Sequence, residues 1–89
     1  IRAFTYLTTQ RFCNGEDVTK EASMLKLKAA ELGNITADQC LQFFGGYGFM
    51  EEFPIARIYR DNRISPIYAG TSEIMKEILA NMVIDGKTY

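Results

Sequence analysis

The sequence predicts an all-α domain, a helical bundle, on three observations. Apolar residues recur at helical spacing along most of the chain, and glycine or proline separates the successive patterns. No segment alternates apolar and polar residues as a half-buried strand would. The 89 residues are enough for one small domain that takes in residues 1–89, and a composition of 47% hydrophobic and 24% charged residues is typical of a globular protein.

The first two helices are separated by a helix stop. Residues 1–13 form the first helix, which Asn14 and Gly15 end, because glycine tolerates the left-handed conformation found at helix C-termini. Asp17 or Thr19 caps the second helix. Gly33 leaves two interpretations of that helix: it ends there, or it continues to about Phe44. The apolar pattern through residues 32–43 favours the single long helix.

Two shorter helices complete the chain. A glycine-rich turn over residues 45–48 follows the long helix, and Pro54 suits the first turn of a short third helix. Thr71 or Ser72 caps the last helix, which ends at Asp85 and Gly86. Its apolar residues at helical spacing are Ile74, Ile78, Leu79 and Met82.

The composition excludes several kinds of function. The net charge is −1 with no basic stripe, so nucleic-acid binding is not predicted, and the apolar runs are too short for a membrane-spanning helix. The chain has no histidine, and its two cysteines lie outside any metal-binding spacing, so no metal site is predicted. We expect Cys13 and Cys40 to be buried free thiols, with a disulfide as the alternative.

Two glycine turns, at residues 45–46 and 70–72, have features of a phosphate site. Helix N-termini attract phosphates, and glycine lets a ligand approach the backbone closely. Taken alone, such turns are more typical of plain connections between helices. The dinucleotide fingerprint GxGxxG and the phosphate-loop pattern GK[ST] are both absent.

The residues around these turns resemble a known family. Residues 42–49 (QFFGGYGF) and 67–74 (IYAGTSEI), with shorter stretches at 20–24, 53–55 and 59–61, are similar to the C-terminal helical domain of the acyl-CoA dehydrogenases. Residues 67–77 resemble the long-chain and isovaleryl-like branch most. The resemblance covers nearly the whole chain. It implies a four-helix bundle that builds a homotetramer, of which the first long helix is absent from this chain.

The resemblance also implies a cofactor and a substrate. The cofactor is FAD, approached by one glycine turn from a neighbouring subunit and contacted by the other, so that the two turns converge on it. The substrate is an acyl-CoA thioester, which loses a proton from its α-carbon to a carboxylate and a hydride from its β-carbon to the flavin. Tyr68 and Gly70 lie beside the substrate. The implied flavin contacts are Gln42, Gly45, Gly46, Thr71, Ser72 and Glu73.

Ala69 departs from the commonest family pattern. It stands where many members carry the glutamate that removes the proton, and a methyl group has no lone pair, so no catalytic residue is assigned in this chain. Two accounts follow. The base lies on an upstream helix outside this chain, as the resemblance to the long-chain branch implies, or the parent protein is a non-catalytic homologue. We favour the first, and expect the isolated chain to be inactive.

Two other functions stay open from the sequence. One is a cofactor-free helical module for interaction or oligomerisation, and the other is an acyl-CoA oxidase, which differs in its electron acceptor. The resemblance further implies electron-transfer flavoprotein as a partner. It implies a bacterial cytoplasm or the mitochondrial matrix as the location, and we favour the cytoplasm. An incomplete bundle leaves an apolar groove uncovered, so the chain is expected to self-associate.

Overall fold

The computed structural model describes residues 1–89 as four α-helices joined by turns. The helices are α1 (Arg2–Cys13), α2 (Thr19–Phe44), α3 (Pro54–Asn62) and α4 (Ser72–Ile84), and a 3-10 turn (Gly45–Phe49) follows α2. There is no β-strand, which confirms the predicted all-α class. The long helix α2 is the centre of the structure, because α1, α3, α4 and the 3-10 turn each pack against it. None of the four helices combines the length and the apolar character that crossing a bilayer requires.

The connection between α1 and α2 is built from local polar contacts. Gly15 adopts a φ of 82° just after α1, as the helix stop predicted. Asp17 accepts hydrogen bonds from the Thr19 hydroxyl (2.7 Å) and the Thr19 backbone N–H (3.0 Å) at the start of α2. These two bonds favour the carboxylate and lower the pKa of Asp17. Arg11 donates to Glu16 (3.1 Å) and Glu21 (2.9 Å), which ties the end of α1 to the first turn of α2.

Gly33 lies inside α2 and does not end it, so the interpretation as one long helix is confirmed. Its nearest non-local neighbour is Asn62: a Cβ at position 33 would lie 2.7 Å from the Asn62 side-chain nitrogen, so the amide of Asn62 would have to shift to make room for it. Asn62, the last residue of α3, donates to the side-chain oxygen of Asn34 (3.2 Å). Glycine has a low helix propensity, but because it has no Cβ it lets the end of α3 approach α2 closely.

The predicted start of α3 and the predicted start and end of α4 are also confirmed. Pro54 opens α3, where its missing N–H costs no helical hydrogen bond. The hydroxyl of Thr71 caps α4 by accepting from the Ile74 backbone N–H at 3.2 Å. The helix ends at Ile84, directly before Asp85 and Gly86.

The core of the isolated chain is small. The buried apolar residues are Ala30, Ala37, Ile55 and Met75. The accessible surface is 6649 Å², whereas a compact protein of 10.1 kDa exposes about 5,300 Å². The radius of gyration is 16.2 Å, against about 12 Å for a compact chain of this length. Much apolar surface that a self-contained domain would bury is therefore open.

Both cysteines are free thiols, and Cys13 corrects a prediction. Cys40 is half-buried, but Cys13 is exposed, so the expectation that it is buried was wrong. The physical reason is that α1 packs only against α2, which leaves most of the surface of α1 uncovered.

The open apolar surface supports the predicted self-association of the 89-residue chain. Phe43 is 90% exposed, Phe49 is 82% exposed and Ile84 is 79% exposed, and contact between copies would remove such surface from water. We expect sedimentation velocity to give species heavier than 10.1 kDa at micromolar concentration, and Phe43→Glu to shift them toward the monomer. A monodisperse monomer of the unmodified chain would contradict this expectation.

Candidate cofactor and substrate site

The segment between α3 and α4 is a closed loop that carries several predicted site residues. The backbone N–H groups of Ile67 (2.8 Å) and Tyr68 (3.2 Å) both donate to the carbonyl oxygen of Ile64. The N–H of Ser72, at the start of α4, donates to the carbonyl oxygen of Pro66 (3.0 Å). These bonds fold residues 64–72 back on themselves, and we call this segment the substrate loop, after the substrate contacts that the family resemblance implies for Tyr68 and Gly70.

The tip of the substrate loop has a left-handed backbone. Gly70 has a φ of 103°, and Ala69 has a φ of 53°, the only positive φ at a non-glycine residue. In this conformation the Cβ of alanine crowds its own backbone, at a cost of about 1–2 kcal/mol. Strain of this kind persists only where surrounding contacts enforce it, and it concentrates at functional sites. Position 69, where the family resemblance places the base, is therefore a strained and exposed position.

The strained backbone at Ala69 predicts that substitution of this residue by glycine stabilises the fold. Ala69→Gly removes the crowded Cβ, which stabilises the folded state, but it also raises the conformational entropy of the unfolded chain. We expect the free energy of unfolding to rise by up to about 1 kcal/mol. Ala80→Gly is the matched control, because Ala80 is an exposed residue inside α4, where glycine costs about 1 kcal/mol. Thermal unfolding of the two variants should shift in opposite directions. Equal destabilisation by both would show that Ala69 is not strained.

Lys26 connects the substrate loop to α2. Its ammonium group donates to the carbonyl oxygens of Ser65 (2.8 Å) and Gly70 (2.6 Å), and lies 5.8 Å from the centre of the Tyr68 ring. No motif in the sequence marked this lysine as a site residue. The sequence did hold a signal, because Lys26 lies three residues after Ser23 and four before Ala30 and so shares their face of a helix. The structure shows that Ser23 and Ala30 are buried and Lys26 is half-buried, and an unpaired charge is disfavoured there.

Three backbone donors at the loop tip have no partner in the chain. The N–H groups of Ala69, Gly70 and Thr71 make no backbone hydrogen bond, while Tyr68 beside them is 58% exposed. A carbonyl or phosphate oxygen placed against the tip could accept from them. The tip is thus suited chemically to an oxygen-bearing ligand.

The side chains at the start of α4 differ in whether they already have a hydrogen-bond partner. The hydroxyl of Thr71 is occupied by its cap, so the capping role considered for it is confirmed. The hydroxyl of Ser72 is buried and has no hydrogen-bond partner. Glu73 is exposed in the first turn, where a carboxylate interacts favourably with the helix dipole.

In the 3-10 turn, glycines that look alike in sequence have different surroundings. Gly45 has a φ of 61° and requires the freedom of glycine. A Cβ at Gly48 would lie 2.6 Å from the Leu41 carbonyl oxygen, so Gly48 is fixed by packing on α2. At Gly46 a Cβ would meet nothing within 4 Å, so no contact inside the chain requires a glycine there. Gln42, one turn earlier on α2, is exposed.

The two candidate turns do not meet within one chain. The substrate loop is held at Lys26, and the 3-10 turn follows Phe44, about 27 Å further along the axis of α2 at 1.5 Å per residue. No contact joins the 3-10 turn to α4. The two turns therefore do not converge within one chain, and their predicted convergence on one cofactor, with one turn supplied by a neighbouring subunit, stays a prediction.

Comparison with known families fits this architecture. The family model described as "Acyl-CoA dehydrogenase, C-terminal domain" matches residues 1–84. The chain belongs to the acyl-CoA dehydrogenase family. The resemblance stated from the sequence is thereby confirmed. The chain superposes on the crystal structure of acyl-CoA dehydrogenase from Geobacillus kaustophilus with a TM-score of 0.91 and 41% identity, over 93% of this chain and 22% of that one.

Two curated relatives of the chain are named for different reactions of acyl-CoA compounds. It is 54% identical over 63 residues to the rat long-chain specific acyl-CoA dehydrogenase, mitochondrial, covering 71% of this chain and 15% of the relative. It is 39% identical over 71 residues to a subunit of the caffeyl-CoA reductase–Etf complex of Acetobacterium woodii, covering 80% of this chain and 19% of the relative. The chain thus spans roughly a fifth or less of the curated relatives it matches.

Proposed function

We propose that this chain is the part of a flavin-dependent acyl-CoA dehydrogenase that presents backbone donors to the acyl-CoA thioester and contributes contacts to FAD. The reaction is α,β-dehydrogenation. The observation that carries the proposal is the exposed left-handed tip of the substrate loop, with its three unpaired N–H groups next to Tyr68. A connection between helices needs neither a strained alanine nor a row of free donors, so these features favour a ligand site over a cofactor-free module.

On the substrate side, the loop tip offers what a thioester requires. Proton loss from the α-carbon places negative charge on the carbonyl oxygen, and preorganised backbone N–H groups stabilise such charge better than water does. We assign this role to the donors of residues 69–71, with Tyr68 and Gly70 forming the adjoining surface. The roles of Tyr68 and Gly70 stay predictions from the family resemblance.

On the cofactor side, the residues present fit a dinucleotide. Space beside Gly46 is open, the Ser72 hydroxyl lacks a partner, and the first turn of α4 has a positive partial charge suited to a diphosphate. FAD, when bound, supplies the hydride acceptor of the reaction. Because the two turns lie about 27 Å apart along α2, Gln42, Gly45 and Gly46 serve a different flavin from the one served by Thr71, Ser72 and Glu73.

This division requires an oligomer. A chain that contributes to two flavins must lie between two active sites, so each flavin is bound between neighbouring subunits of a homotetramer. The open apolar surface of the isolated chain supports such an assembly. We propose the cytoplasm as the location, with the mitochondrial matrix as the alternative that the name of the rat relative suggests.

The proton must be taken by a group outside this chain. Ala69 has no base, and Glu73 is placed on the first turn of α4 rather than at the loop tip. We propose a glutamate on an upstream helix, as in the long-chain branch, and therefore a long-chain type of substrate. The small methyl group at position 69 leaves room for a carboxylate that arrives from elsewhere.

A second candidate is the reverse reaction, reduction of an unsaturated acyl-CoA. The Acetobacterium woodii relative is named as a reductase within an Etf complex, which also supports electron-transfer flavoprotein as the partner of this protein. The same site serves both directions, because catalysis lowers one barrier for the forward and the reverse step. An acyl-CoA oxidase would keep the site and pass its electrons to oxygen.

Purified full-length protein tests the proposal. We expect a yellow protein whose flavin absorbance is bleached by a saturated long-chain acyl-CoA under anaerobic conditions, with product formation when an artificial electron acceptor is added. The 89-residue chain alone is the control and should give no turnover, because the other domains hold the rest of the site. Peroxide formation in air would favour an oxidase. A full-length protein without flavin would favour the helical module.

A further inference from the structure

We propose that Lys26 is a positioning residue that sets which side of the substrate loop presents its backbone donors. This inference rests on the proposed function of that loop. The Lys26 ammonium group donates no hydrogen bond to the left-handed residue Ala69 or to the first turn of α4, so it acts on the site through the carbonyl oxygen of Gly70.

The geometry of a single peptide group carries the first step. Lys26 donates to the carbonyl oxygen of Gly70 at 2.6 Å, and all peptide bonds in the chain are trans. In a planar trans peptide the C=O and the N–H point in opposite directions. The N–H of Thr71, which shares this peptide with the Gly70 carbonyl, therefore points away from Lys26, toward the outer side of the loop.

A second bond fixes the position of the loop as well as the orientation of that peptide. The same ammonium donates to the carbonyl oxygen of Ser65 at 2.8 Å, so one group joins the two ends of the turn to each other and to α2. The Tyr68 ring lies 5.8 Å away, within the range of a cation–π contact. The three contacts surround the strained residue Ala69 without touching it.

The positive charge of Lys26 interacts with these three groups and has no acidic partner. No carboxylate lies within ion-pair distance of its ammonium, although Lys76 and Arg11 both have acidic partners. Two backbone carbonyl dipoles and one aromatic ring thus take the place of a counter-ion. A left-handed alanine does not hold its conformation by its own preference, so the loop tip is held by this external tether together with the backbone hydrogen bonds of the loop.

The first test is kinetic and uses the full-length flavoprotein. Lys26→Met keeps the apolar stem and removes the ammonium, and we expect kcat per bound flavin to fall about 100-fold, the effect of misplacing a catalytic surface by about 1 Å. KM for the acyl-CoA should change by less than about threefold, because remote contacts carry most of its binding. Lys28→Met is the matched control, since Lys28 is exposed on the same helix and makes no hydrogen bond or ion pair.

A purely structural role for Lys26 predicts a different outcome. The Met variant would then lose flavin and melt earlier, but the flavin that remains bound would turn over at the normal rate. Such a result would overturn the proposal, as would equal kcat values for Lys26→Met and Lys28→Met. If Lys26→Met does not fold, Lys26→Arg retains the charge in a planar group of different geometry, and a kcat about tenfold below wild type is expected. An unchanged kcat in the Arg variant would overturn the proposal.

A measurement that needs no activity separates this inference from the proposed function. Hydrogen exchange of the amides of Tyr68 and Ser72, which are bonded within the loop, should become about tenfold faster in Lys26→Met, while the buried amide of Ala37 in α2 keeps its rate. Unchanged loop exchange overturns the role of Lys26 even in an active enzyme. Faster exchange in a protein without dehydrogenase activity supports the tether and counts against the proposed function alone.

Discussion

Replacing Gly46 with leucine in the full-length protein is expected to weaken its flavin binding at least about tenfold, which corresponds to about 1.4 kcal/mol of binding free energy. A Cβ at this position meets no atom of the chain within 4 Å, and its φ lies outside the left-handed region. The chain itself therefore tolerates a side chain at position 46. The leucine would occupy the open space that the proposed function assigns to the flavin of a neighbouring subunit.

The experiment compares flavin absorbance per protein for the wild type, Gly46→Ala and Gly46→Leu. The alanine variant is the control for the loss of glycine itself and should retain most of its flavin, because a single methyl group takes up little of the open space. The melting temperature of the apoprotein should be the same in all three. Full flavin content in Gly46→Leu would show that the 3-10 turn is not part of the cofactor site. It would favour the alternative that the chain is an oligomerisation module.

Gly48, two residues later, is expected to differ from Gly46, because even a methyl group at position 48 should destabilise the fold. In Gly48→Ala the new Cβ would lie 2.6 Å from the Leu41 carbonyl oxygen and 3.0 Å from the Phe44 Cβ. The nearest atom belongs to the backbone of α2, so the clash cannot be relieved by rotating a side chain. We expect a destabilisation of about 1–3 kcal/mol from overpacking.

Chemical denaturation of Gly48→Ala beside Gly46→Ala measures this difference within one turn. Apoprotein should be used for both, so that loss of flavin does not contribute to the change in stability. A Gly48→Ala variant as stable as Gly46→Ala would mean that the turn can move away from α2. In that case the contrast between the two glycines would lose its structural basis.

The helices could be predicted from the sequence because their boundaries depend on neighbouring residues. Gly15, Pro54 and Thr71 each act within one turn of the helix end that they define, through φ, a missing N–H and a side-chain cap respectively. The ambiguity at Gly33 was different. The side chain that a Cβ at this position would meet is Asn62, which is distant in sequence and becomes a neighbour only when α3 packs on α2.

The candidate site could be predicted only in part, for the same physical reason. The turns at residues 45–48 and 67–72 are local features, but the bond from Lys26 to Gly70 joins residues 44 positions apart. The left-handed backbone at Ala69 opposes the intrinsic preference of alanine, so no local rule indicates it. The separation of the two turns follows from the length of α2, and only the packed structure shows that no other element brings them together.

The slab-like shape of the chain has a consequence for how its mutations are interpreted. It measures 48 × 25 × 17 Å, and its thinnest dimension is less than two helix diameters of about 10–12 Å each. Nearly every side chain therefore reaches one of two broad faces, and either face can become an interior once other polypeptide covers it. Solvent exposure in the isolated chain will then underestimate sensitivity to substitution, and a polar residue at Phe43 or Ile84 is expected to be as harmful in the assembled protein as one at Met75.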